Sequence, residues 1–176
     1  MSVSHATDGS IKPNVVNVSS LQDGAISSTK LNVSGGADGQ ALVKDSAQTG
    51  GMKWASLSFT FALTSFYKTG TLSVTTGTQR LPIDGTYTIV GTRLMVGTAP
   101  VGANLIVDVK KNGITIYTTQ ANRPTIVAGQ NAGGPGSTPD VVSLAAGDYL
   151  TVDIAQVGST TAGSDLTVSV IVSKTL

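Results

Sequence analysis

The chain has 176 residues, enough for one domain with a proper core and an extended arm besides. Its formal net charge of +1 and its 12% of charged residues exclude the dominant basic face of a nucleic-acid binder. Cysteine is absent, which excludes disulfides, a thiol nucleophile and thiolate metal sites.

All ten acidic residues are Asp, strong helix formers are scarce, and Gly, Ser, Thr and Val prevail. That is the composition of strands joined by tight turns, so an all-β protein is expected. The N-terminus MSVSHATDG has neither a basic nor an apolar signal region. No apolar stretch approaches membrane-spanning length, so membrane insertion is not expected.

Three Asp-Gly pairs, Asp8-Gly9, Asp23-Gly24 and Asp38-Gly39, stand fifteen residues apart. The first two open an ungapped repeat, DGSIKPNVVNVS against DGAISSTKLNVS, and the third decays into DGQALVKDS. So short a polar repeat cannot enclose a core of its own and needs neighbouring copies or chains to bury its apolar positions. Ile11, Val16 and Val18, matched by Ile26, Leu31 and Val33, are the expected contacts for docking or trimer formation. Residues 1–56 therefore read as an arm that orders on a partner, since a free linker rarely keeps a register. Trp54 lies where the arm gives way to the strands that follow. Its expected role is an anchor packing head against arm.

From about Ser58 strand signals become dense. Ser58–Tyr67, Thr71–Thr75 and Thr86–Val96 are expected strands, the last entered through Asp84-Gly85. Leu105–Lys111 and Ile114–Thr118 flank Asn112-Gly113, a type I′ hairpin signal because both central residues need φ > 0. Residues 120–140, with Pro124, Pro135 and Pro139, read as a long loop with a short strand at Thr125–Val127. Val141–Leu144 is a short strand. Tyr149–Val157 and the segment Leu166–Val172 alternate apolar and polar residues, as half-buried antiparallel strands do. A β-sandwich over residues 57–176 follows, with jelly-roll topology expected.

Chemistry is poorly represented. His5 is the sole histidine, too little for a triad or a histidine metal site. Asp148 and Asp153 could suggest a carboxylate pair, but a Gly-Asp turn residue and an outward strand residue are ordinary, and without Glu or a cleft signature glycosidase chemistry is not expected. Asp108 is either satisfied by Lys110 or a charge at a subunit interface. One Asp per repeat cannot build a calcium loop, so each Asp-Gly reads as a turn. No catalytic residue, metal or cofactor is expected. Tyr117, Asn122 and Arg123 are the candidates for ligand or partner contact, because polar and aromatic groups beside a loop suit such surfaces; burial of Tyr117 at a sandwich edge is the alternative.

Several ordered motifs carry a resemblance: Val96-Gly-Thr-Ala-Pro-Val-Gly102, Leu105-Ile-Val-Asp-Val-Lys-Lys-Asn-Gly113, Ile116-Tyr-Thr-Thr-Gln-Ala-Asn-Arg-Pro124 and Leu144-Ala-Ala-Gly-Asp-Tyr-Leu-Thr-Val-Asp153. Gln156-Val-Gly-Ser-Thr160 and Gly163-Ser-Asp-Leu-Thr-Val168 continue it. Together the stretch from Lys68 to Val172 resembles a C-terminal β-sandwich module of bacteriophage virion proteins. DGAISSTKL and GGADGQALVKD followed by GGMKWASL resemble phage fibre repeats. The resemblance implies a virion structural protein, a homotrimer with C1q- or TNF-like jelly-roll heads, and not an enzyme. It implies assembly in the host cytoplasm and exposure on the outer surface of the virion. The expected partners are further copies of the chain and the major capsid protein or another virion protein. The expected function is capsid decoration or head fibre, with a tail fibre or tail-tip protein recognising a host-surface glycan or receptor as the alternative.

Overall fold

Alternation of apolar and polar residues every second position is what these strands are built from, since it presents one face to a core and one to water. The computed structural model describes residues 36–47, 52–133 and 138–175. The chain divides into two units, Met1–Ala55 and Ser56–Leu176. Among the described residues the secondary structure is almost wholly β. Ile11, Val16, Val18, Ile26, Leu31 and Val33, with the repeat they belong to, lie outside the described residues.

In the first unit, strand β1 (Gln40–Lys44) pairs with β2 (Met52–Ser56). The Asp38-Gly39 pair forms the tight turn that leads into β1: Gly39 has φ +82°, and the Gln40 N–H donates to the Ala37 carbonyl at 3.1 Å. Positive φ at the third turn position is the conformation glycine adopts without a Cβ penalty. Asp45 bonds Lys53 at 2.8 Å, and the contact holds the Asp45 carboxyl below its ordinary value.

The second unit contains β3 (Ser58–Thr71), β4 (Leu81–Pro82), β5 (Tyr87–Met95), β6 (Leu105–Lys111) and β7 (Ile114–Thr115). It continues with β8 (Thr125–Ile126), β9 (Ala132–Gly133), β10 (Ser143–Leu144), β11 (Tyr149–Gln156) and β12 (Ser164–Thr175). One sheet has the order β10-β5-β12-β3, with β9 beside β5. The other has the order β4-β11-β6-β7, with β8 beside β6. Every pairing in these two sheets is antiparallel.

The inward faces of the two sheets form one core. Phe66, Leu166, Val168, Val170, Val172, Ile89 and Leu94 come from the first sheet, and Leu105, Val107, Val109, Leu150 and Ile154 from the second. Burying each such side chain contributes roughly 1.5–3 kcal/mol, so this core is the main stabilising term of the unit.

Some expected boundaries are corrected. Thr71–Thr75 is not a strand of its own: Thr71 ends β3 opposite Ser164, Leu72 turns inward and is buried, and Thr75 pairs through an isolated bridge to Ile154. The segment is leaving the edge of one sheet for the edge of the other, which a continuous ladder would prevent. The strand from Ile114 ends at Thr115 because the Ile116 carbonyl accepts from Asp140 and Val141. In residues 120–140 the expected short strand at Thr125–Val127 is present as Thr125–Ile126, and the described residues around it are more ordered than a plain loop. They hold a 3-10 turn at Gln120–Asn122, then β8 on the second sheet and β9 on the first. Their ends are tied by the Thr119 N–H, which donates to Asp140 Oδ2 at 3.0 Å and lowers the pKa of that carboxyl.

Candidate functional site

Two clefts lie along the segment between β3 and β4. One, of about 210 Å³, has Phe66, Val152, Ile154 and Leu166 in its lining and Lys68 and Gln79 among its polar groups. The other, of about 360 Å³, is lined by Val74, Thr75, Thr76, Asp108, Arg123 and Asp153, with Ile154 and Ala155. Gly77 borders this region and admits no side chain, because a Cβ there would stand 1.9 Å from the Val152 carbonyl oxygen.

The second cleft draws its two carboxylates from the outward face of the second sheet and Arg123 from the end of the 3-10 turn. Register sets Asp153 on β11 directly opposite Asp108 on β6. Like charges at such a pair repel, and the surroundings offset this. Lys110 bonds Asp153 Oδ2 at 2.5 Å, and the Gly77 N–H donates to Asp153 Oδ1 at 2.9 Å. The Asp153 contact is the chief cause that raises the Lys110 pKa above its ordinary value. Asp108 accepts from the Thr115 hydroxyl at 2.6 Å. Asp108 is therefore satisfied by Thr115, while Lys110 goes to Asp153. Asp148 lies in the turn before β11 and Asp153 on that strand, as the plainer reading of the sequence had them, and the carboxylate that Asp153 faces is Asp108.

Asp148 belongs to a different cluster, where the β6–β7 hairpin meets the turn before β11. It accepts from the Ala145 N–H at 2.8 Å and from Asn112 Nδ2 at 2.7 Å, and it pairs with Lys111 at 3.0 Å. These contacts, the Ala145 N–H first, hold its carboxyl down at about 2. Asn112 Oδ1 in turn accepts from the Tyr149 N–H at 3.0 Å. Arg80 lies over the Tyr149 ring, 4.6 Å from its centroid.

The three expected contact residues separate. Tyr117 is a core residue, fully buried, with its hydroxyl 3.0 Å from Thr92 Oγ1, and burial pushes its pKa up. It offers nothing to solvent. Asn122 sits half-buried in the 3-10 turn. Arg123 is also half-buried and lines the second cleft, with its Nε donating to the Gln120 carbonyl at 3.0 Å. Trp54 is half-buried and packs its indole on Gly36, where a Cβ would come within 2.7 Å of the ring. His5 lies outside the described residues.

Sequence reading did not bring Asp108, Asp153 and Arg123 together. They are spread over three segments, and alternation marks Asp108 and Asp153 only as outward residues. Among the described residues no group of three or more metal-ligating side chains forms, and no helix is long and apolar enough to cross a membrane. No protein-family model matches the chain, and neither a curated protein nor a solved structure matches it.

Proposed function

We propose that the chain is a bacteriophage virion structural protein, a capsid decoration or head fibre on the outer surface of the particle. Residues 1–56 attach it, and residues 57–176 form the displayed head. The observation that carries this reading is the strand order, taken with the sequence resemblance. Without the two-residue strands β8 and β9, each sheet has four strands. Counted along the chain, the orders are sixth-third-eighth-first and second-seventh-fourth-fifth, which supports an eight-stranded jelly roll of the C1q/TNF-like kind.

A trimer is supported by the outward face of the first sheet. Tyr67, Thr167 and Met95 form one row across β3, β12 and β5; Ser65, Ser169 and Arg93 form the next. Ala62, Ile171 and Gly91 complete a third row, so Arg93 is the single charge among these nine positions. Tyr67 is 70% exposed and Met95 62% exposed, large apolar groups on a face with little charge to keep copies apart. The mechanism is adhesive: copies bury shared apolar surface, and the Ile and Val positions of the repeat grip the particle.

Immunogold labelling of purified particles tests the placement. Labelling over the capsid is expected, and labelling confined to the tail tip overturns it. Ile11→Asp combined with Ile26→Asp should abolish incorporation while leaving a folded head. A tail-fibre or tail-tip receptor binder is the second reading, favoured by the solvent-open cleft beside Arg123.

A further inference from the structure

The cleft lined by Asp108, Asp153 and Arg123 has features that a plain surface ion-pair network does not require. Asp108 is only 7% exposed, and Thr115 occupies just one of its two carboxylate oxygens. The other oxygen has no hydrogen-bond partner among the described residues, and Asp108 lines the cleft. Arg123 lines the same cleft, yet it makes no salt bridge with Asp108 or with any other described residue. An acceptor and a donor thus face one space without reaching each other.

The chemistry of that space selects the ligand. In the lining Asp108 and Asp153 carry two negative charges and Arg123 one positive charge, and the charge of Asp153 is already offset by Lys110 from outside the lining. An anion drawn to Arg123 meets the carboxylates, and a cation drawn to Asp108 meets Arg123. A neutral ligand with closely spaced donors and acceptors avoids both conflicts. Vicinal hydroxyls have this property, since each oxygen both donates and accepts. Val74, 64% exposed in the lining, supplies an apolar surface of the kind that the C–H face of a sugar ring packs against.

We propose that this cleft binds a neutral saccharide. Asp108 accepts from adjacent ring hydroxyls, Arg123 donates to a neighbouring hydroxyl or ring oxygen, and Val74 packs against the ring. The inference holds whether the chain sits on a capsid or on a tail. It also fails separately from that reading, because it is tested on the purified protein.

The test is titration of the isotope-labelled full chain with a panel of neutral hexoses, N-acetylhexosamines and their disaccharides, followed by backbone amide shifts. At least one saccharide should shift amides at residues 74–76, 106–108, 122–123 and 153–155, with an affinity of about millimolar. Asp108→Asn and Arg123→Gln should each weaken that binding about tenfold or more, since each removes a charge-assisted hydrogen bond. Asp108→Asn keeps an acceptor for Thr115. Should it fail to fold, Arg123→Gln at a half-buried position outside the core carries the same test. The proposal is overturned if no saccharide produces localised shifts at tens of millimolar, if the shifts fall elsewhere, or if binding survives the variants. Cleft shifts produced by a short neutral peptide and by no saccharide overturn it in favour of a protein partner.

Discussion

Tyr117 and Asp148 show how far one residue's role depends on its neighbours. The hydroxyls of Tyr117 and Thr92 are both buried and bond each other. Tyr117→Phe leaves Thr92 without its partner and should cost about 1–3 kcal/mol, read from urea unfolding. Adding Thr92→Val removes the orphaned hydroxyl, and the double variant should recover most of that loss. Asp148 gives the pH dependence. Its carboxyl is held at about 2 against an ordinary 3.8, so the unfolded chain binds the proton more readily. The stability it contributes is therefore present above its unfolded value and lost as pH falls towards its folded value. The carboxyl carbon of Asp148 should titrate near pH 2 in an NMR titration, and Asp148→Asn should flatten the acid limb of the stability profile below about pH 4.

At the scale of elements, the hairpin between β6 and β7 is the most heavily specified turn described. Asn112 and Gly113 have φ of +52° and +85°, as a type I′ turn requires. That much was legible from the dipeptide. The second task of Asn112, fastening the turn to Asp148 and Tyr149, depends on a strand contact across more than thirty residues of chain and had no local signal. Asn112→Ala should cost about 2–3 kcal/mol, combining left-handed strain with lost hydrogen bonds. Asn112→Gly keeps the backbone freedom and should cost about 1 kcal/mol, from the bonds alone. Thermal unfolding of both variants separates the two contributions. The long strands β6, β11 and β12 were readable because several alternating positions accumulate a signal. Two-residue strands such as β4 and β9 contain too few positions to show a period, and β9 is made of Ala132 and Gly133.

For the whole molecule, the outward face of the β10-β5-β12-β3 sheet makes the proposed association testable. Met95 is well exposed in the protomer, so a charge there leaves the core untouched. Sedimentation of the unaltered chain should give three times the protomer mass, and Met95→Lys should give a folded monomer, because a buried unpaired charge disfavours the interface. Persistence of the trimer in that variant would move the contact to another face.

The sequence by itself determined the all-β class, the principal strands and the Asn112-Gly113 turn. Each is written in the period and turn chemistry of a few consecutive residues. Tertiary structure alone decided that Tyr117 is core, that Asp153 faces Asp108, and that Arg123 shares their cleft. Those facts follow from register and from the order of strands within each sheet, where residues far apart in the chain become neighbours. Local alternation fixes which way a side chain points, but not what it meets there.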